Sequence, residues 1–272
     1  MKTRDPKDNS LNDITNSHDW LKNLHTVFTY QPNLKKVYKG IETRGVAKPP
    51  ELLEQLINFF TKKDQWVLDP FAGIGTTNIA AKKLNRNSVG IELYSDMKNS
   101  YKKLLDRNFP PILNDEEQNG NKSIFLIGNN LEVIPTLNQK FNLILTDPSY
   151  GINHRKRQDE NAPFEMFGND SVNDIGLAKN YEQFYERLAN TFELCREKLV
   201  DKGWLVIFLG DRYSSKYIPV AYEANPYIEN KGYVLKGVRI WNQPNVMRQV
   251  YGWWQTYVPV INHWNIMIYK KN

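Results

Sequence analysis

At 272 residues, with 40% hydrophobic and 24% charged residues, the chain has a globular composition and can bury a sizeable core. No apolar run approaches the roughly 18 residues of a membrane span, while a single cysteine and four scattered histidines exclude an internal disulfide and argue against a zinc site, so no metal is expected. A net charge of +6 is compatible with a phosphate-bearing partner without requiring one.

The opening "MKTRDPKDNSLND" is polar throughout and is read as the start of an N-terminal arm, residues 1–43, that is partly mobile. It has neither leader nor anchor pattern, so a cytoplasmic protein with no membrane partner is expected. Residues 49–61, "PPELLEQLINFFT", place Leu52, Leu53, Leu56, Ile57 and Phe60 on one helical face, with proline in the opening turn where its missing N–H costs nothing. The apolar runs "WVLD", "SVGIEL", "SIFLIG", "FNLILTD" and "WLVIFLG" follow as strands, with helical patterns at 95–107 and 179–200 between them. On the second of these helices Cys195 shares a stripe with Tyr181, Phe184, Leu188, Phe192 and Leu199, which marks it as a core thiol.

Such alternation indicates an α/β fold with a parallel sheet covered by helices, whose ligands gather at the carboxyl ends of the strands. The polar spacer at 113–122 reads as a surface loop, and 151–176 is the longest stretch without periodicity, the signature of a functional or disordered loop. After "FLGD" come two long strand candidates, "GYVLKGVRIW" and "WNIMIYKK", expected to pair antiparallel.

Two strand endings carry the chemistry. In "DPFAGIGTT", residues 69–77, Gly73 and Gly75 permit a tight turn before a helix start whose N–H groups are free. The place of a third glycine is taken by Asn78, and Asp69 stands where a phosphate would be repelled, so a ligand with positive charge near Asp69 is expected. The next strand ends in Glu92, 23 residues after Asp69, the usual place for a carboxylate that accepts ribose hydroxyls. The third ends at Asn129, whose oxygen can accept from an adenine amino group. A nucleoside with a cationic tail and no phosphate describes S-adenosylmethionine better than NAD or ATP.

"DPFAGIGTT", then "VGIEL", then "FNLILTDPSYG" resembles the DNA amino-methyltransferases, which modify the exocyclic amino group of adenine or cytosine, in the motif order of their gamma group. The resemblance runs from about Arg44 to the C-terminus, with Lys48 and Pro49 matching a Lys-Pro of the cofactor pocket and "INHWNIMIYKK" resembling the last strand. It implies a class I, Rossmann-like methyltransferase domain over 44–272, with a mainly parallel seven-stranded sheet and a C-terminal antiparallel hairpin. The cofactor would be S-adenosylmethionine, leaving S-adenosylhomocysteine, and would meet Lys48, Asp69, Pro70, Phe71, Gly73, Gly75, Thr76, Thr77, Glu92, Leu93 and Asn129.

An exocyclic amino nitrogen is a poor nucleophile because its lone pair is delocalised into the ring; two acceptors that take both hydrogens localise it. Asp147 supplies one acceptor. The resemblance makes the carbonyl of Pro148 the second and stacks Tyr150 on a base flipped out of duplex DNA. Ser149 departs from the common "DPPY", which adds an N–H and frees one φ. Asp in first position resembles adenine methylases more than cytosine ones. For His154, Arg155, Lys156 and Arg157, a phosphate-holding role and a solvated surface stand level, with Phe164, Met166 and Phe167 placed over the flipped nucleotide or in its gap. A recognition segment is short in this chain, so a partner chain or a homodimer is an alternative source of target choice. An RNA methyltransferase acting on a guanine amine and a non-catalytic nucleic-acid-binding subunit are the rival readings.

Overall fold

The computed structural model describes residues 9–43, 47–110, 120–149, 173–213, 216–243 and 261–272. Two short helices, α1 (Ser17–Lys22) and α2 (Leu34–Val37), flank a three-residue strand β1 (Val27–Thr29) in the arm. Then α3 (Pro50–Phe60) leads into β2 (Trp66–Asp69), α4 (Thr76–Lys83), β3 (Asn87–Glu92), α5 (Met97–Asn108), β4 (Ser123–Ile127), α6 (Asn130–Thr136) and β5 (Phe141–Thr146). The chain continues through α7 (Tyr181–Lys198), β6 (Leu199–Leu209), a small hairpin of β7 (Arg212–Tyr213) and β8 (Tyr217–Ile218), α8 (Val220–Glu229), β9 (Tyr233–Asn242) and β10 (His263–Lys271).

The main sheet has the order β1-β9-β10-β6-β5-β2-β3-β4. From β6 through β4 the pairings are parallel, and β10 runs antiparallel between β6 and β9. Seven strands thus form the expected mainly parallel sheet with its antiparallel hairpin. An eighth, β1, is added by the arm, which pairs parallel to β9 with Phe28 opposite Trp241. The central strands read as continuous apolar runs because both faces are covered: Val67, Leu68, Leu143, Ile144 and Leu145 have no exposed surface. Chain order moves outward from β2 to β3 and β4, then returns to β5 on the other side of β2. The crevice where order reverses therefore lies between the carboxyl ends of β2 and β5, the place where open α/β sheets bind ligands.

Helix α3 opens with Pro50 at its first turn and buries Leu52, Leu53, Leu56, Ile57, Phe59 and Phe60, the anticipated face plus Phe59. Helix α7 starts where Asn180 accepts from the Gln183 N–H, and it buries Cys195, whose thiol is pushed up by desolvation and so kept protonated. Helix α8 is not apparent from the sequence, because Pro226 lies within it and its buried face is only Val220, Ala221, Ala224 and Ile228.

Residues 9–43 lie along the body of the domain. Asn12 donates to the Phe59 carbonyl (2.6 Å), Trp20 packs on Phe59 with ring centroids 5.4 Å apart, and the Trp241 indole donates to the Tyr30 carbonyl (2.8 Å). Farther along, Tyr38 and Ile41 pack with Ile74, Ile79, Met97, Tyr101 and Leu104 in a second apolar cluster. Arg86, 3% exposed, fastens the arm's start: its guanidinium donates to the carbonyls of Thr61 (2.9 Å) and Leu84 (2.6 Å) and to Asp13 (3.0 Å). Arg86→Met is expected to lower the free energy of unfolding by about 2–4 kcal/mol, since two main-chain acceptors lose their donor. Asp13→Ala, whose carboxylate is 39% exposed, should cost under about 1 kcal/mol. Urea unfolding curves compare the two, and equal effects would show that the carbonyl contacts contribute nothing.

Candidate active site

The turn after β2 is organised by Asp69. Its carboxylate accepts from the Phe71 N–H (3.1 Å), the Thr77 hydroxyl (2.6 Å) and the Thr146 hydroxyl (2.7 Å), joining the glycine turn, the start of α4 and the tip of β5 at one buried point. At 4% exposure Asp69 is buried beside the cleft and is not among the residues of its wall, and the three hydrogen bonds it accepts brace the turn. Desolvation pushes the carboxyl up to about 6; the hydrogen bonds from Thr77, Thr146 and Phe71 oppose this, and the neighbouring charge of Asp147 adds to it.

Gly73 (φ 55°) and Gly75 (φ 76°) both adopt the left-handed conformation that side chains resist. They do different work. Gly73 lines the cleft, whereas a Cβ on Gly75 would come within 2.4 Å of the Tyr101 ring, so Gly75 permits close packing of α5 behind the turn. Asn78, at the place of a third glycine, is fully buried and donates to the Ile124 carbonyl (2.9 Å) and the Ser88 hydroxyl (3.2 Å). Gly90 opposite makes room for it: a Cβ there would meet the Asn78 amide oxygen at 2.2 Å.

Glu92, at the tip of β3, accepts the Gly73 N–H on Oε2 (2.8 Å) and the Tyr94 N–H on Oε1 (3.0 Å). These two main-chain donors fix the orientation of the Glu92 carboxylate at the strand tip. Asn129 caps α6 by accepting from the Leu131 N–H (3.1 Å), which leaves its oxygen one lone pair for a ligand, and its amide nitrogen donates to Glu132. Asn130 ties this tip back to the first turn through the Pro70 carbonyl (3.1 Å).

Asp147 follows β5 directly and is held by a partner from another part of the chain. Lys48, on the approach to α3, forms an ion pair with Asp147 Oδ2 while its ammonium sits 3.8 Å from the centre of the Trp264 ring and 5.5 Å from that of Phe208. Lys48, Asp147, Ser149 and Glu92 face one cleft, together with Pro70, Phe71, Thr76, Thr77, Leu93 and Asn129. Pro148 is described but is not part of the wall. Tyr150, His154, Arg155, Lys156, Arg157, Phe164, Met166 and Phe167 lie outside the described residues.

Four lining or flanking residues escaped sequence reasoning. Tyr94 donates to Asp174 (2.6 Å), and Asp174 accepts from Gly176 to cap a short 3-10 turn at Ile175–Leu177. This closes one rim of the cleft from a stretch with no periodicity to reveal it. Phe208 and Trp264 were legible as strand residues but not as neighbours of Lys48.

The wall suits a nucleoside that carries positive charge and no phosphate. Among the described lining residues Lys48 is the sole cation, and it is engaged with Asp147, while Glu92 and Asp174 are acidic. No group of three His, Cys, Asp or Glu that could hold a metal ion occurs among the described residues. No helix among them is long and apolar enough to cross a membrane.

The raised Asp69 carboxyl has a pH consequence of definite sign. Between pH 3.8 and about 6 the folded chain keeps a proton that the unfolded chain releases, so stability falls as pH rises through that window. Asp69→Asn keeps an acceptor oxygen and cannot ionise. Relative to the wild type it should gain up to about 3 kcal/mol between pH 4 and pH 7 in urea unfolding; a difference independent of pH would refute the shifted ionisation.

A family model described as DNA methylase, of the N6/N4 type, matches residues 1–103 and 141–272. The Type II methyltransferase M.MthZI of Methanothermobacter thermautotrophicus is 48% identical over 61 residues, 22% of this chain and 17% of that protein. The Type II methyltransferase M.HindIII of Haemophilus influenzae is 49% identical over 63 residues, 22% of this chain and 20% of that protein. The matched segments therefore span about a fifth of the length of these curated relatives. Among solved structures, a protein of Streptococcus mutans assigned as a SAM-dependent methyltransferase superposes with a TM-score of 0.50 at 12% identity, over 81% of this chain and 48% of that one, a likeness of fold alone. By the extent of the family match and the order of its two strand-tip motifs, this chain belongs to the N6/N4 DNA methylase family.

Proposed function

We propose that the chain transfers a methyl group from S-adenosylmethionine to the exocyclic amino group of a base in DNA, and that the base is adenine. The observation that carries this reading is the juxtaposition of two strand tips. β2 and β5 pair in parallel, with Leu68 opposite Ile144, and Thr146 hydrogen-bonds Asp69 across the tips (2.7 Å), so the glycine turn and Asp147 open into the same cleft.

When bound, S-adenosylmethionine supplies an electrophilic methyl group on a sulfonium. The chain's own residues do the rest. Glu92, fixed by two main-chain N–H groups, binds the ribose hydroxyls, and the wall formed by Phe71, Leu93 and Met97 flanks the nucleoside. Asp147 accepts one hydrogen of the target amine, the Pro148 carbonyl accepts the other, and the nitrogen lone pair is thereby localised for attack. Asp147 is also the nearest base for the proton that the amine loses. Tyr150 stacks on the flipped base, and the basic run at 154–157 holds phosphates of the duplex. Asp at 147, the first position of the catalytic turn, favours adenine over cytosine. The relatives' Type II names suggest a place in restriction and modification, with a partner chain or second copy contributing to target choice.

Asp147→Ala is expected to keep donor binding in calorimetry while methyl incorporation into duplex DNA falls by about 10²–10³-fold or more. Nucleoside mass spectrometry of DNA treated with the wild type should show N6-methyladenine. Full turnover by the variant, or wild-type transfer to tRNA in preference to duplex DNA, would overturn the reading.

A further inference from the structure

Lys48 is the only lysine among the described residues that is buried, with 6% of its side chain exposed. Enclosing an ammonium costs several kcal/mol unless partners compensate. Here the compensation comes from three strands' worth of groups: the Asp147 carboxylate after β5, the Trp264 ring of β10 and the Phe208 ring of β6. The backbone is fixed as well. The Lys48 carbonyl accepts from the buried Tyr38 hydroxyl, and Pro49 and Pro50 restrict the chain as it enters α3.

A lysine is out of place if its task is to hold a sulfonium, which it would repel. Its contacts give it a different partner. We propose that Lys48 is the positioning residue of the methyl-transfer site: by engaging Oδ2 of Asp147 it fixes the rotation of the carboxylate and so the direction in which the other oxygen accepts from the target amine. This rests on the function proposed above and reassigns Lys48 from the donor pocket to the acceptor side.

The ion pair has a second effect on the same group. Asp147 is close enough to Asp69 for its charge to push the Asp69 carboxyl up, and the Lys48 ammonium is paired with Asp147 itself. The other charged groups of the cleft are Glu92 from β3 and Asp174 from the turn before α7; β6 and β10 present the neutral rings of Phe208 and Trp264. Loss of the ammonium leaves the Asp147 carboxylate without its close cation while the charge of Asp69 remains nearby, so Asp147 ionises at higher pH.

The test uses the full chain and three variants. Lys48→Met keeps the length and apolar stem of the side chain between the two rings. It should bind S-adenosylmethionine within about threefold of the wild type and lower kcat by about 10–100-fold, the cost of a misaligned reacting group. The acidic limb of its pH–rate profile should move up by about one unit or more. Lys48→Arg, which keeps the charge, should return that limb close to the wild-type position and recover part of kcat. A Lys48→Met enzyme with an unmoved acidic limb, or one that loses donor binding while kcat at saturating donor is unchanged, overturns the assignment. If Lys48→Met fails to fold in a thermal melt, Lys48→Gln carries the same test. Asp147→Ala in parallel separates the two readings. An inactive Asp147→Ala beside a normal Lys48→Met removes the role of Lys48 alone, whereas an active Asp147→Ala removes the proposed function with it.

Discussion

The parallel pairing of β2 with β5 sets the distance between the glycine turn and Asp147, and every statement about the cleft depends on it. Leu68 and Ile144 are opposite one another with no exposed surface, as are Val67 and Leu143 beside them, so a slip of one residue would force both covered faces of the sheet to repack. The hydrogen bond from Thr146 to Asp69 then carries this register past the last paired residues into the loops. A pair of loops would otherwise be free to drift by more than the fraction of an ångström that catalytic alignment tolerates.

Charge in the cleft is arranged in layers. Asp69, at the back, is hydrogen-bonded by Phe71, Thr77 and Thr146; Asp147, in front, is engaged by Lys48; Glu92, at the side, is satisfied by main-chain N–H groups. Asp147 and Glu92 share the cleft with Asp174, which accepts from Tyr94 and Gly176, while Asp69 braces the wall from behind, and each carboxylate has donors of its own. Buried polar groups with complete partners hold geometry; with partners missing they are costly, which ties the alignment of the cleft to the integrity of its supports.

Much of this was readable in the chain. The alternation of apolar strands with helical patterns specified the parallel sheet, and the two turns after Leu68 and Thr146 marked the working end, because both depend on local spacing and residue chemistry. The Lys48–Asp147 pair was not readable, since 99 residues separate the partners and only the folded sheet brings them together. Asp69 shows a subtler limit. A carboxylate at a strand tip is visible in the sequence, but whether it faces a ligand or two threonines depends on side-chain direction, and here Thr77 and Thr146 take it. Helix α8 was hidden by Pro226, and β1 by its brevity: three residues whose only reason to extend is the partner strand over 200 positions away.

That short strand has a further meaning for the molecule as a whole. Without it, β9 would end the sheet as a run of ten residues, Tyr233–Asn242, offering main-chain donors and acceptors to any extended chain in solution. By lying along Ile240–Asn242 the arm covers the last three of these ten residues, the end of β9 beside the start of β10 at His263. The arm therefore serves the sheet and the site together: the segment that covers this end of β9 continues to Tyr38, whose hydroxyl holds the Lys48 carbonyl, so its removal would bare the strand edge and loosen the approach to the cleft at once.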